Sequence, residues 1–171
     1  MRVLLIMLFV ALTLPFGGGV HAQSGAKSFP PSTSGLPIPR FVSLKGEPVN
    51  MRAGPGVRYP IRWVYVRRNL PLMVTAEFEF WRRVRDVDGA EGWIHKSLLR
   101  GRRMAIVTAD GQMLRVEPRA DAPPAAEAER GVIAELVACQ GEWCRVEAGE
   151  VSGWLPRSAI FGALPDESFE R

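Results

Sequence analysis

Groups that can hold or move charge are scarce in this chain. Histidine occurs only at His21 and His95, and cysteine only at Cys139 and Cys144. No glycine-rich phosphate loop, second histidine pair or zinc-type cysteine spacing accompanies them. A nucleophilic, metal or nucleotide site therefore cannot be assembled by motif, and no cofactor is expected. Asp86 and Asp88 sit beside an Asp88-Gly89 turn signal and read as turn and strand-end residues. The concentrated chemistry is aromatic and basic, in Trp81-Arg82-Arg83-Val84-Arg85. Strand side chains alternate, so Trp81, Arg83 and Arg85 share one face while Arg82 and Val84 share the other. A face of one tryptophan and two arginines is expensive to bury. It can stack against sugar rings or pair with carboxylates and phosphates, and a merely solvated arginine face is the alternative reading. Trp63 and Tyr65 alternate on another strand and complete the candidate ligand-binding set.

The elements that must position these residues are short strands. The chain carries 17 Gly and 14 Pro, with 47% apolar residues, a composition that suits strands joined by turns. Strand-like runs occur at 41–44, 50–52, 61–66, 70–78, 81–87 and 90–95, the last two joined by the Asp88-Gly89 turn. Nothing between residues 40 and 100 shows the apolar 3.6-residue period of a long helix. Residues 120–130 read as a proline-containing loop. The segment 163–171 reads as a loose polar tail.

A second, degenerate copy follows about sixty residues after the first. Met113-Leu114-Arg115 answers Asn50-Met51-Arg52, Pro118 answers Pro55, Trp143 answers Trp81, and Gly153-Trp154-Leu155 answers Gly92-Trp93-Ile94. Trp93 and Trp154, each following a glycine, are expected to fill a core. Arg52 recurs as Arg115, and an arginine repeated within a turn signature reads as a donor to loop carbonyls before it reads as a ligand contact. Charge is divided unevenly between the copies. Residues 40–100 hold twelve Lys/Arg against six Asp/Glu, whereas residues 103–162 hold six against nine. The first copy is thus the one suited to an anionic partner.

The N-terminus reads as an export signal. Arg2 precedes an apolar run from Val3 to Phe16, and Val20-His21-Ala22 fits a small-residue cleavage site. The run falls short of the roughly twenty residues of a membrane span, so no transmembrane segment is expected after cleavage. Residues 1–22 are read as the signal peptide and 23–39, rich in Ser, Pro and Gly, as a flexible linker. The protein is expected in the periplasm, with secretion into the medium as the alternative, and in neither place does it meet nucleic acid. In that oxidising setting Cys139 and Cys144, flanking a turn, are expected to form a disulfide. Glu77 and Arg82 are the corresponding pair in the first copy and are expected to form a cross-strand ion pair in place of the bond.

The motifs resemble the bacterial SH3-like domain family. The family opening is matched by Val49-Asn50-Met51-Arg52-Ala53-Gly54-Pro55, with Asn50, Arg52, Gly54 and Pro55 as the turn signature. The family closing is matched by Gly92-Trp93-Ile94 before Ser97-Leu98-Leu99. In the second copy Trp143-Cys144-Arg145-Val146 and Gly153-Trp154-Leu155 match, but Leu114-Arg115-Val116-Glu117-Pro118 lacks the Asn and the Gly. The resemblance implies an all-β chain of two tandem small SH3-like barrels, at 40–102 and 103–162. It also implies a non-catalytic role in holding envelope material, either cell-wall glycan and peptide (peptidoglycan) or another anionic component. A protein-interaction scaffold in the periplasm is the alternative, with an envelope protein as partner.

Overall fold

The computed structural model describes residues 32–170. The expected signal peptide, His21 and the first part of the linker lie outside the described residues. The chain is all-β apart from two 3-10 turns, at Lys96–Leu98 and Arg157–Ala159. The first unit comprises β1 (Arg40–Leu44), β2 (Val49–Arg52), β3 (Ile61–Tyr65), β4 (Pro71–Phe78), β5 (Trp81–Arg85), β6 (Glu91–His95) and β7 (Leu99–Arg100). The second comprises β8 (Met104–Val107), β9 (Gln112–Arg115), β10 (Pro124–Ala128), β11 (Ile133–Gln140), β12 (Trp143–Ala148), β13 (Val151–Pro156) and β14 (Ile160–Phe161), followed by β15 (Phe169–Glu170). The strand orders are β3-β2-β6-β5-β4-β1-β7 and β10-β9-β13-β12-β11-β8-β14. Adding seven to each strand number of the first sheet reproduces the second, so the repeat is one of topology as well as motif.

Each sheet wraps its own core. Leu44, Leu72, Val74, Val84 and Ile94 are fully enclosed in the first. Leu136, Leu155, Cys139 and Cys144 are fully enclosed in the second. Alternation along β6 puts Gly92 and Ile94 inward and leaves Trp93 half-exposed. The glycine is a packing requirement, because a Cβ on Gly92 would lie 2.5 Å from Met51 Cγ and 2.7 Å from the Arg52 carbonyl oxygen. Gly153 repeats the constraint, 2.8 Å from Leu114 Cβ. Trp93 and Trp154 therefore point outward, contrary to their expected place in the cores: the close crossing claims the inward position for glycine, and phase does the rest.

Two further expectations are corrected. The stretch expected as a proline-containing loop contains β10, held by antiparallel pairing to β9. That pairing overrides the helix preference of its alanines and Glu127. The tail is docked: β15 pairs with β11, Arg157 donates to the carbonyls of Leu164 and Glu167, and Arg103 pairs with Glu167. The described end of the expected linker is likewise anchored, since Ser32, Thr33 and Ser34 donate to Glu77.

Glu77 and Arg82 stand directly opposite on β4 and β5, as Cys139 and Cys144 do on β11 and β12. The cysteines form the expected disulfide. Glu77 and Arg82 form the expected ion pair at 3.0 Å, and Arg40 adds a second at 2.5 Å. Burial pushes the Glu77 carboxyl up, but hydrogen bonds from Arg40, Ser34 and Ser32 outweigh it and hold the group at about 2. The two units also pack together. Ile106 of β8 belongs to the core of the first unit, Phe41 meets Phe161 edge to face at 5.0 Å, and Ser43 Oγ donates to the Arg102 carbonyl.

Two outcomes follow from this packing. Gly92→Ala lowers stability by about 1–3 kcal/mol, read as a fall in the urea midpoint at unchanged slope. A carboxyl depressed on folding contributes stability that is complete above its unfolded pKa and is lost as pH falls through its folded one. The urea midpoint of the parent protein thus falls between pH 4.5 and about 2, with Glu77 contributing about 3 kcal/mol. Glu77→Gln is less stable at neutral pH, where two arginines lose their partner, and its midpoint depends less steeply on pH across that window.

Candidate functional site

β5 and β6 pair in register, Trp81 against His95, Arg83 against Trp93 and Arg85 against Glu91. Residues directly opposite share a face, so these six side chains form one outward stripe. Behind it Arg82, Val84, Gly92 and Ile94 turn inward and are buried. The stripe is wet, as a tryptophan with two arginines demands: the Arg83 and Arg85 side chains keep 42% and 46% of their surface exposed.

Its electrostatics centre on Glu91. Arg83 Nη2 donates to Glu91 Oε2 at 2.6 Å, and Arg85 Nε donates to Oε1 at 2.8 Å. The Arg85 hydrogen bond, more than its burial opposes, holds the Glu91 carboxyl below the usual range. Two arginines against one glutamate leave the stripe with a cation in excess, already arranged around a carboxylate. At the other end Trp81 meets His95 edge to face at 5.4 Å. Phe80 lies 6.1 Å from the His95 ring, and Lys96 Nζ sits 4.9 Å from the Phe80 centroid. Phe78 pairs with Trp81 across the β4–β5 turn and is exposed. Ser97 N–H donates to His95 Nδ1, and Ser97 Oγ lies 2.7 Å from the same nitrogen, so the imidazole is oriented by its own 3-10 turn. An aromatic platform beside a carboxylate-holding arginine fork can bind a sugar ring and an acidic group together.

Of the five residues expected to contact a ligand, Trp81, Arg83 and Arg85 are brought together. Trp63 is exposed but lies on β3, separated from β5 by β2 and β6 in the strand order. Tyr65 is buried, and its hydroxyl donates to Asp86 Oδ2 at 2.8 Å. Burial and the Asp86 carboxylate both push the phenol up. Asp86 Oδ1 in turn accepts from the backbone of Asp88 and Ala90. Tyr65 thus ties β3 to the β5–β6 turn and is withdrawn from any ligand surface, because β3 runs over the core at its end while standing clear of it at its start.

The turn signature is occupied with the fold. Arg52 Nη1 donates to the carbonyls of Val57 and Tyr59, and Arg115 Nη1 repeats this with the Ala122 carbonyl. Gly54 lies under the Tyr59 ring, where a Cβ would approach to 2.5 Å. The second copy has Glu117 and Ala122 at the matching positions, so the missing glycine there coincides with a missing ring. Asn50 pairs with Val64 in the β2–β3 ladder, and Pro55 follows in the turn. Glu91, Phe78, Phe80 and His95 are the residues that sequence reasoning missed. Carrying the alternation across the Asp88-Gly89 turn would have found Glu91 and His95.

The second unit offers a weaker version of the same stripe. Trp143 faces Pro156, Arg145 faces Trp154 and Glu147 faces Ser152. Its single arginine pairs with Glu147 at 3.5 Å, leaving no cation in excess. A cleft of about 520 Å³ lies between the units. Its four arginines each have a partner through the guanidinium Nη or Nε atoms, Arg100 donating to Asn69, although the buried Nε atoms of Arg100 and Arg103 have none among the described residues. Arg40 and Arg82 hold Glu77, and Arg103 holds Glu167. Among the described residues no cluster of three or more His, Cys, Asp or Glu is placed to hold a metal, and no helix is long and apolar enough to cross a membrane.

Comparison with known proteins matches this pattern to a family. No curated protein matches the chain. Among solved structures, NlpC2 from Trichomonas vaginalis is 10% identical, with a TM-score of 0.34, over 78% of this chain and 52% of that one. NlpC1 from the same organism is 10% identical, with a TM-score of 0.33, over 75% and 48%. The chain spans about half the length of each. The family model for the bacterial SH3 domain matches twice, at residues 45–101 and 108–162, which are the two sheets with their shared strand order, their outward tryptophans and their repeated arginine latch. The chain belongs to the bacterial SH3 domain family and carries two tandem copies of its domain.

Proposed function

We propose that this protein is a non-catalytic binding module of the cell envelope. It holds cell-wall glycan and peptide, or another anionic envelope component, on the outer stripe of β5 and β6 in the first unit. The observation that carries this reading is the contrast between the two stripes. The first sets Trp81 and Trp93 beside two arginines that share one glutamate, whereas the second neutralises its only arginine. Trp81 presents a ring for stacking on a sugar, and Arg83 and Arg85 supply charge-assisted hydrogen bonds to a carboxylate, with Glu91 marking where that carboxylate sits. The export signal read at the N-terminus supports a periplasmic location, with the medium as the alternative, and either brings the stripe to wall material.

Co-sedimentation with insoluble peptidoglycan tests the proposal. The processed protein is expected in the pellet. Trp81→Ala combined with Arg83→Ala weakens binding by about tenfold or more, and Trp143→Ala combined with Arg145→Ala leaves it unchanged. A parent protein that stays wholly in the supernatant rules out the peptidoglycan reading.

A further inference from the structure

β3 is the outermost strand of the first sheet, and among the described residues it pairs with β2 alone. Its far edge presents backbone donors and acceptors without a strand partner. A bulge at Arg62 sets Ile61 opposite Arg52, Trp63 opposite Met51 and Val64 opposite Asn50. Ile61 and Val64 therefore project to one side and Trp63 to the other, and all three are exposed. Val57 before the strand and Val66 after it are 78% and 70% exposed. Five large apolar side chains thus stand in water within ten residues, on both faces of an open edge. Folded proteins ordinarily blunt such an edge, and the second unit does so: β10 has Pro124, three alanines and Glu127 in the same place.

The charge on this edge has one sign. Arg58, Arg62, Arg67 and Arg68 are exposed along it, and no acidic residue occurs between Glu47 and Glu77. These features select among occupants. A bilayer would draw the unpaired backbone groups into an apolar phase that cannot satisfy them. A second copy paired edge to edge would set four arginines against four. Residues 1–31 of the chain contain no Asp or Glu to neutralise them. An extended segment of another polypeptide, with acidic residues among apolar ones, meets all three requirements: it completes the ladder, covers the apolar side chains on both faces and pairs the arginines. The molecule already docks such a segment elsewhere, where Phe169–Glu170 of its acidic tail adds to β11.

We infer that β3 is a strand-addition site for an extended acidic and apolar segment of a partner protein. The site is distinct from the β5–β6 stripe and does not depend on what that stripe binds. The probe is a fluorescent peptide of alternating glutamate and valine, titrated into the full processed protein with amide hydrogen exchange as a second readout. Two analogues carry N-methyl groups on alternate residues, one in each phase. Binding is expected with new protection confined to residues 61–66, lost in one methylated analogue and retained in the other. Arg62→Glu, at an exposed position that leaves the fold intact by circular dichroism, weakens binding by about tenfold. Equal binding of both methylated analogues, protection elsewhere, or no binding at millimolar peptide would overturn the inference. Protection of 61–66 by phosphatidylglycerol vesicles and not by the peptide would overturn it in favour of a bilayer.

Discussion

The structure depends on how closely β2 crosses β6. Met51 and the Arg52 carbonyl leave no room for a side chain at Gly92, and Leu114 leaves none at Gly153. Once that inward position is emptied, the alternation of the strand is determined for its whole length. Ile94 and Leu155 enter the cores, Trp93 and Trp154 face water, and the residues opposite them on β5 and β12 follow. The glycine before the tryptophan is therefore the device that sends an aromatic ring outward. The outward stripe of the first unit is a consequence of core geometry, and its half-buried rings are held by packing that they do not themselves provide.

A second constraint is solved twice at one position. Units of about sixty residues bury a modest fraction of their surface and need some staple. In the second unit Cys139 and Cys144 close the β11–β12 hairpin covalently, which in the chain-entropy account contributes about 2 kcal/mol. In the first unit the matching pair is Glu77 and Arg82, enclosed and joined by Arg40 and by three residues from before the first strand. A buried carboxylate is costly unless every lone pair is satisfied, and here Ser32, Thr33 and Ser34 complete what the arginines begin. The covalent staple acts within its own hairpin. The ionic one also fixes the chain leading into β1, and it ties the stability of the first unit to pH where the second unit has no such dependence at that position.

Much of the fold was legible because it is local. The strands at 41–44, 61–66, 70–78, 81–87 and 90–95 announce themselves by composition and turn residues, and the repeat of Asn50-Met51-Arg52 as Met113-Leu114-Arg115 announces the second unit. The disulfide and the Glu77–Arg82 pair were legible for the same reason, since five residues across a turn place side chains opposite. What failed was non-local. β10 looked like a loop because its alanines and Glu127 become a strand only through β9. The tail looked loose because its anchors, Arg103 and Arg157, lie in other segments. Trp93 looked like core because tryptophan is large and apolar, and only the crossing of β2 shows which side of β6 is full. Tyr65 looked like a ligand contact because its parity matches Trp63, but the buried partner that claims it, Asp86, lies two strands away in sequence.

The two units have diverged on their surfaces while keeping their frame. Arg52 and Arg115 make the same bond to the same loop carbonyl seven residues on, and the strand orders are identical. Half of the outward stripe differs, with Trp81, Arg83 and Trp93 kept as Trp143, Arg145 and Trp154: Arg85 becomes Glu147, Glu91 becomes Ser152, His95 becomes Pro156, and the apolar edge of β3 becomes the alanine and glutamate of β10. The buried staple differs too, an ion pair at Glu77 and Arg82 against the disulfide of Cys139 and Cys144. The second unit lends Ile106 to the first core and Phe161 to Phe41, and so stabilises a neighbour that carries both the charged stripe and the open edge.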